Sequence, residues 1–201
     1  LLPQEGQATD TDFYRITAKA GESWVIETNA SQNKSPADTI VDVLDANGKP
    51  VVRYLLQAVR ESYINFRGLS SDELQVRIKG WEEMGLDQYL YMNGEIGRII
   101  RMPKGPDSGF LLYDIGNKRR AYFDTTAITH PNEEPVYIVE AFPPSAELVD
   151  NGLPVIPLYF SNDDGGLRKS GKDSRLMFTA PTDGEYLVRV RDTRGFGGDD
   201  Y

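Results

Sequence analysis

The segment Glu185-Tyr186-Leu187-Val188-Arg189-Val190-Arg191-Asp192 decides the fold class, because apolar side chains recur in it at every second position. Tyr186, Val188 and Val190 fall on one face, and two arginines fall on the other. A period of two residues is typical of a β-strand that buries one face against a core. We therefore predict a strand here that belongs to a half-buried sheet.

Similar strand patterns occur upstream of this segment and near the beginning of the chain. They cover Phe13–Thr17, Trp24–Thr28, Thr39–Leu44 and Ser174–Thr179. The third of these is followed by Asp45-Ala46-Asn47-Gly48, where glycine supplies the positive φ that a tight turn requires. Strands separated by short turn signals predict an antiparallel sandwich or barrel.

The middle of the chain is also rich in strand-like segments, although its patterns are less regular. Strands are predicted at Ile96–Met102, Gly109–Tyr113, Ala121–Phe123 and Val136–Phe142. One helix is predicted at Tyr54–Ser62, because its leucines and valine recur at helical spacing. The overall prediction for this part is β-rich structure with a single short helix.

Composition restricts the class of partner. The 201 residues carry a formal net charge of -9, which disfavours the phosphate backbone of nucleic acid and favours a cation. The chain has no cysteine, so disulfides and thiolate metal sites are excluded. No stretch is long and apolar enough to predict a membrane span. The chain begins at Leu1 without a methionine, and we expect a processed protein or a fragment.

Several short blocks lie in a fixed order near the two ends of the chain. They are Asp10-Thr11-Asp12-Phe13-Tyr14, Ala20-Gly21, Trp24-Val25-Ile26, Ser35-Pro36-Ala37-Asp38, Asp45-Ala46-Asn47-Gly48, Asn162-Asp163-Asp164, Gly171-Lys172-Asp173-Ser174, Phe178-Thr179-Ala180-Pro181 and Gly184-Glu185-Tyr186. In order and spacing these blocks resemble the bacterial pre-peptidase C-terminal (PPC) domain family. The resemblance implies a jelly-roll-like antiparallel β-sandwich in a secreted setting, often attached to a peptidase or another exported enzyme.

The resemblance also defines a domain organisation. It places the sandwich at residues 10–50 and 158–201, with residues 51–157 as a β-rich insertion that forms an extension or a small lobe. Typical family members have almost no chain between the Asp-x-x-Gly turn and the Asn-Asp-Asp block, so this insertion is a departure from the family pattern. Another departure is that the family's usual last strand does not follow the blocks quoted above.

The best candidate site is the acidic loop with Asn162, Asp163, Asp164 and Asp173, with Asp38 expected nearby across the sandwich. Ca²⁺ prefers several oxygen ligands from carboxylates, amides and carbonyls. A loop that gathers carboxylates is destabilised by charge repulsion unless a cation or backbone N–H groups compensate. The alternative is that these residues cap turns and face water.

Catalytic chemistry is not favoured by the remaining residues. Ser108 lies in a turn-like Pro-Asp-Ser-Gly stretch, and a serine nucleophile needs a base that takes its proton. The single histidine, His130, is expected at the surface, as are the paired carboxylates Glu82-Glu83 and Glu133-Glu134. An aromatic group that forms either a binding face or core comprises Trp24, Trp81, Tyr89, Tyr91, Tyr113, Tyr122 and Tyr137, with core packing favoured.

These observations lead to one functional expectation with two alternatives. We expect a non-catalytic, extracytoplasmic accessory or binding module that contacts protein or carbohydrate at the cell surface, and that holds Ca²⁺ if the acidic loop is a metal site. The first alternative is a regulatory or appended fragment of a larger secreted hydrolase, such as a peptidase, whose catalytic part lies outside this chain. The second is that the inserted segment is itself an enzyme that uses carboxylate chemistry.

Overall fold

The computed structural model describes residues 11–31, 33–105, 107–165 and 173–193. Within these ranges the regular structure is β, apart from one 3₁₀ turn at Trp81–Glu83. The predicted all-β class is therefore confirmed. The paired strands are antiparallel in every register described below.

The strands are numbered in chain order. They are β1 (Thr11–Ala18), β2 (Ser23–Glu27), β3 (Thr39–Asp45), β4 (Val52–Tyr63), β5 (Gln75–Val76), β6 (Tyr89–Met92), β7 (Glu95–Arg101), β8 (Phe110–Leu112), β9 (Asp114–Ile115), β10 (Lys118–Arg119), β11 (Pro135–Phe142), β12 (Val155–Tyr159), β13 (Ser161–Asn162), β14 (Arg175–Thr179) and β15 (Gly184–Asp192).

The chain divides into two compact units. Unit 1 contains the described residues up to Val52 and those from Tyr159 onward, and unit 2 spans Arg53–Leu158. Of the predicted sandwich, residues 10, 32, 166–172 and 194–201 lie outside the described ranges, and they include residues 171–172 of one sequence block.

Unit 1 pairs strands from the two ends of the chain. Its four-stranded sheet has the order β1-β15-β3-β13, and β2 pairs with β14. The alternation of β15 places Tyr186 and Val188 in the core. The ring of Phe178 on β14 meets the ring of Tyr186 edge-on at 4.9 Å, so the β2–β14 pair and the four-stranded sheet share one core.

The turn after β3 forms as the Asn-Gly pair predicts. Gly48 has a φ of 79°, and its N–H donates to the carbonyl oxygen of Asp45 at 2.9 Å. The Asp45 carboxylate accepts from the N–H groups of Asn47 and Lys49, both at 2.9 Å. These backbone hydrogen bonds hold the pKa of the Asp45 carboxyl below its ordinary value, even though burial acts in the opposite direction.

Unit 2 is built on a seven-stranded sheet with the order β12-β4-β11-β6-β7-β8-β5, and β9 and β10 form a separate small hairpin. Side chains on β6 alternate between two apolar clusters. Leu90 and Met92 belong to one cluster, and Tyr89 and Tyr91 pack against the other. Both faces of the central strands are therefore covered, which explains why their sequence patterns are less regular than those of unit 1.

The predicted helix at Tyr54–Ser62 is wrong, because this segment lies within the 12-residue strand β4. A β-bulge explains the misleading spacing. Ile138 pairs with Arg60 and Val139 pairs with Ala58, so Val59 has no partner in the register and is exposed. The extra residue breaks the period of two and leaves apolar residues at intervals that imitate a helix.

The predicted strand at Ala121–Phe123 is also wrong. Phe123 and Asp124 have φ values of 56° and 57°, which are incompatible with an extended strand. The Phe123 ring instead packs edge-on against Tyr54 at 5.2 Å, and its carbonyl oxygen accepts from Arg53 at 2.8 Å. Tertiary contacts thus hold a turn in an aromatic segment that alone favours a strand.

Candidate cation site

Three carboxylates of unit 1 converge at one end of the four-stranded sheet. Asp38, Asp163 and Asp164 each offer an oxygen atom within 4.8 Å of the others. The topology explains why they meet. Asp38 directly precedes β3, and the other two residues directly follow β13, which is antiparallel to β3. The end of one strand therefore lies beside the beginning of the other.

The Asp163 carboxyl has a strongly perturbed pKa. Burial, together with the neighbouring charges of Asp164 and Asp38, raises this pKa from its ordinary value of 3.8 to about 6. Arg191 acts in the opposite direction. The Arg191 guanidinium also lies 3.3 Å from the Asp42 carboxylate, so its charge is shared with a second acid. The cluster thus holds negative charge at a net electrostatic cost.

Asn162 fixes the loop that carries Asp163 and Asp164 through hydrogen bonds of its side chain. Its side chain is buried, its Oδ1 accepts the Arg175 N–H at 2.7 Å, and its Nδ2 donates to the Asp164 carbonyl oxygen at 3.1 Å. Asn162 therefore joins β13 to β14 and fixes the backbone that carries the two aspartates. Its predicted role as a cation ligand stays a prediction.

Asp173 lies beside the same loop, but it is not one of the three converging carboxylates. Its carbonyl oxygen accepts the Gly165 N–H at 2.9 Å, and its Oδ1 accepts the Ser31 N–H at 2.7 Å. The residue is 1% exposed, and its Oδ2 has no hydrogen-bond partner in the described part of the chain. A buried carboxylate oxygen without a hydrogen-bond partner is rare in folded proteins, so a group outside the described residues or a bound ion is expected to satisfy it.

Buried hydroxyl groups connect the loop of Asp163 to the segments that begin β3 and β14. The sequence analysis did not identify these hydroxyl groups. Ser174 Oγ lies 2.7 Å from the Asp163 carbonyl oxygen and 3.0 Å from Thr39 Oγ1. The Ser174 N–H donates to Thr28 Oγ1 at 2.9 Å, and the two threonine hydroxyls are 2.7 Å apart. The Asp-Ser step of the Gly-x-Asp-Ser block was the available signal, because a serine at a buried strand start needs a polar partner.

Ser108 in unit 2 has a structural role. Its Oγ accepts the Lys104 N–H at 2.7 Å and lies 3.0 Å from the Gly105 carbonyl oxygen. His130 has different partners, since its Nε2 lies 3.0 Å from Glu95 and its Nδ1 contacts Glu134. The turn interpretation of Ser108 is confirmed by these contacts.

His130 is not at the surface, as the sequence suggested, but is 1% exposed. Glu134, which was expected to face water, has a side chain only 11% exposed. Both belong to a buried polar network with Glu95 and Arg119 that no sequence motif indicated. Burial is possible because each charged group faces an opposite charge or a hydrogen-bond donor.

Most residues of the aromatic group pack in or against the core, which is the alternative that the sequence analysis favoured. Trp24 packs in unit 1, and Trp81 packs against one cluster of unit 2. The second cluster of unit 2 includes Tyr89, Tyr91, Tyr122 and Tyr137 at its partly buried rim. Tyr113 contacts the Tyr122 ring edge-on at 6.4 Å and donates its hydroxyl hydrogen to Asp87 at 2.9 Å.

Comparison with family models, with curated proteins and with solved structures finds no match for this chain. Among the described residues, no helix has the length and apolar character that crossing a bilayer requires.

Proposed function

We propose that the chain is a non-catalytic accessory or binding module of an exported bacterial protein, and that one Ca²⁺ ion stabilises its unit 1. In this proposal unit 1 is a jelly-roll-like β-sandwich of the PPC type, and unit 2 is an insertion that enlarges the binding surface. The partner is a protein or a glycan outside the cytoplasm. The resemblance of the sequence blocks and the pairing of the two chain ends in one sheet support this interpretation.

The observation that carries the proposal is the convergence of Asp38, Asp163 and Asp164 around one point. Ca²⁺ takes carboxylate and carbonyl oxygens at flexible geometry, and extracellular modules hold it with a Kd of about 0.1–1 mM. Burial and the repulsion from Asp164 and Asp38 raise the Asp163 pKa, and a bound cation would act against both, since metal binding favours the deprotonated acid. The buried Oδ2 of Asp173, beside the same loop, is a further oxygen without a hydrogen-bond partner among the described residues.

Calcium is expected to raise the melting temperature of unit 1. At 10 mM Ca²⁺, a native-state site with a Kd of about 0.1–1 mM adds about 1.4–2.7 kcal/mol, which corresponds to at least about 5 °C for a unit of this size. The measurement is a thermal melt followed by Trp24 fluorescence in a Trp81→Phe background, with either chelator or 10 mM Ca²⁺. Trp24 packs against the unit 1 core and therefore reports its unfolding.

The matched controls are the double variant Asp38→Asn/Asp163→Asn and the single variant Asp12→Asn, which removes an exposed acid on β1 of the same unit. The double variant should lose most of the calcium response, and Asp12→Asn should keep it. An unchanged midpoint of the wild-type protein at 10 mM Ca²⁺ would overturn the proposed cation site.

Without a cation, Asp163→Asn is expected to stabilise unit 1 at pH 7 by about 1 kcal/mol, a value reduced for the partial solvent exposure of this group. The Asp163 pKa is raised in the folded state, so the folded protein retains a proton that the unfolded chain has released. Stability in chelator should therefore fall as the pH rises from about 4 to about 6 and then level off. Urea unfolding at several pH values measures this fall, which the Asn variant should lack.

The stabilisation of unit 1 by Ca²⁺ should increase with pH, whereas its stability in chelator should decrease. Ca²⁺ must displace the proton on Asp163, so its stabilising effect should be larger at pH 7.5 than at pH 5. A calcium response of equal size at both pH values would show that Asp163 is not a ligand.

A further inference from the structure

Unit 2 carries an open groove of about 760 Å³ at the end of β4. Its lining residues come from three segments, which are residues 60–63 of β4, residues 79, 80 and 83 around the 3₁₀ turn, and residues 133, 135 and 137 around the beginning of β11. All three belong to unit 2, whereas Asp38, Asp163 and Asp164 belong to unit 1. None of the residues predicted for the cation site lines it, but Tyr137 of the aromatic group named from the sequence does.

Strand register places rings and a carboxylate side by side on the groove floor. Tyr63 pairs with Pro135, and Glu61 pairs with Tyr137 across the two strands. Residues two apart on one strand and opposite on its neighbour share a face, so these four form a patch with the tyrosines on its diagonal. Tyr63 is 40% exposed, which leaves ring surface available to a ligand.

The wall of the groove is fixed by backbone hydrogen bonds. The Lys79 N–H donates to the Tyr63 carbonyl oxygen at 3.1 Å, and the Ser62 hydroxyl donates to the Lys79 carbonyl oxygen. Gly80 then turns the chain with a φ of 67°. These contacts hold the segment that forms this wall against the end of β4.

The charges of the groove are unevenly compensated. Arg60 forms an ion pair with Glu83. Glu61 and Glu133 are exposed and make no ion pair with any described residue. Lys79 is the only cation among the lining residues outside the Arg60–Glu83 pair. The lining thus has two uncompensated carboxylates against one ammonium, beside two tyrosine rings.

We propose that this groove binds an extended segment of a partner protein through an isolated lysine or arginine side chain. A cation is attracted both to the faces of Tyr63 and Tyr137 and to the nearby Glu61 carboxylate. The net charge of -9 on the whole chain favours the same kind of partner. Lys79 disfavours a run of basic residues, which is why the proposal specifies a single cation.

A neutral oligosaccharide would also stack on tyrosine rings, but it would leave the two carboxylates without a counter-charge. The charge pattern therefore favours a protein segment over a glycan. The inference names the partner class for the binding role proposed above and rests on it. It does not depend on the cation site, because the two sites lie in different units.

The test is an NMR titration of the full chain, uniformly labelled with ¹⁵N, with the capped peptide Gly-Gly-Arg-Gly-Gly. The matched probe replaces arginine by citrulline, which keeps the shape and removes the charge. We expect shift changes confined to residues 60–63, 79–83 and 133–137, and an affinity at least about threefold weaker for the citrulline peptide. Equal affinities for the two peptides, or shifts spread over the acidic surface, would overturn the proposal.

Variants distinguish specific peptide binding in the groove from general electrostatic attraction to an acidic surface. Glu61→Gln and Tyr63→Ala should each weaken arginine-peptide binding by about two- to fivefold. Glu147→Gln removes an exposed acid elsewhere on unit 2, and Tyr14→Ala removes an exposed tyrosine of unit 1, so both should leave the affinity unchanged. A loss with Glu147→Gln as large as that with Glu61→Gln would overturn the proposal.

A third titration uses cellohexaose as a neutral sugar probe. Saturation of the groove by this sugar, with no binding of the arginine peptide, would overturn the present inference but would leave the binding-module function intact. Absence of binding by both probes would overturn the inference as well, but it would not affect the calcium response expected of unit 1.

Discussion

Arg119→Met is expected to destabilise unit 2 by about 3–5 kcal/mol, because it leaves the Glu95 carboxylate buried without its guanidinium. Glu95 is 0% exposed, and Arg119 holds it through two parallel hydrogen bonds of 2.5 Å and 2.9 Å. Arg119 also donates to three backbone carbonyl oxygens, among them that of Ile128 at 2.8 Å. One substitution therefore leaves several buried acceptors without donors.

The measurement is urea unfolding followed by Trp81 fluorescence in a Trp24→Phe background, since Trp81 packs against a unit 2 core cluster. The control is the double variant Arg119→Met/Glu95→Leu, which removes both charges. Replacing a whole buried ion pair by apolar groups is often close to neutral, so the double variant should be more stable than the single one. A loss below about 1 kcal/mol for Arg119→Met would contradict the network as described.

The same network gives unit 2 a dependence on pH. Burial by itself raises the pKa of Glu95, but the hydrogen bonds from Arg119 and His130 outweigh it, and the net pKa lies below its ordinary value of 4.5. A lowered pKa in the folded state contributes stability above the ordinary value, and this contribution is lost as the pH falls through the folded pKa. Acid should therefore weaken unit 2, whereas unit 1 without a cation should gain stability between about pH 6 and 4.

Phe178→Ala is expected to cost unit 1 about 3–5 kcal/mol. The Phe178 ring is fully buried between the two groups of strands and contacts the rings of Phe160 at 5.0 Å and Tyr186 at 4.9 Å. Its removal leaves a cavity and also takes away both edge-on aromatic contacts. Trp24 fluorescence in the Trp81→Phe background measures the loss, because Trp24 pairs with Phe178 across β2 and β14.

Met177→Ala is the matched control for Phe178→Ala, since Met177 is the preceding residue of β14 and is 47% exposed. Its cost should be within about 0.5 kcal/mol of zero. An equal loss of unfolding free energy in the two variants would contradict the burial of Phe178 between the β2–β14 pair and the four-stranded sheet. It would then also contradict the shared core of unit 1.

Part of this architecture could be predicted from local sequence. The alternation in β15 and the Asn-Gly turn after β3 are local signals, and the structure follows them. Strand β4 was misassigned because its bulge at Val59 depends on the partner strand β11, which no local pattern reveals. The turn at Phe123 likewise depends on contacts with Tyr54 and Arg53, distant in the sequence.

The candidate cation site could also be predicted only in part, because some of its residues are close in the sequence and others meet through strand pairing. Asp163 and Asp164 are adjacent in the sequence, so their mutual repulsion can be inferred directly. Their meeting with Asp38 depends on the pairing of β13 with β3. The Glu95–Arg119–His130 network had no sequence signal, because its members are separated by 24 and 35 residues and form no motif.

Calorimetric titration of the full chain with CaCl₂ at pH 7.5 measures cation binding at Asp38, Asp163 and Asp164. We predict one saturable site per chain with a Kd of about 0.1–1 mM, and its loss in the Asp38→Asn/Asp163→Asn variant. Absence of saturable heat up to about 10 mM Ca²⁺, or equal binding by that variant, would contradict it.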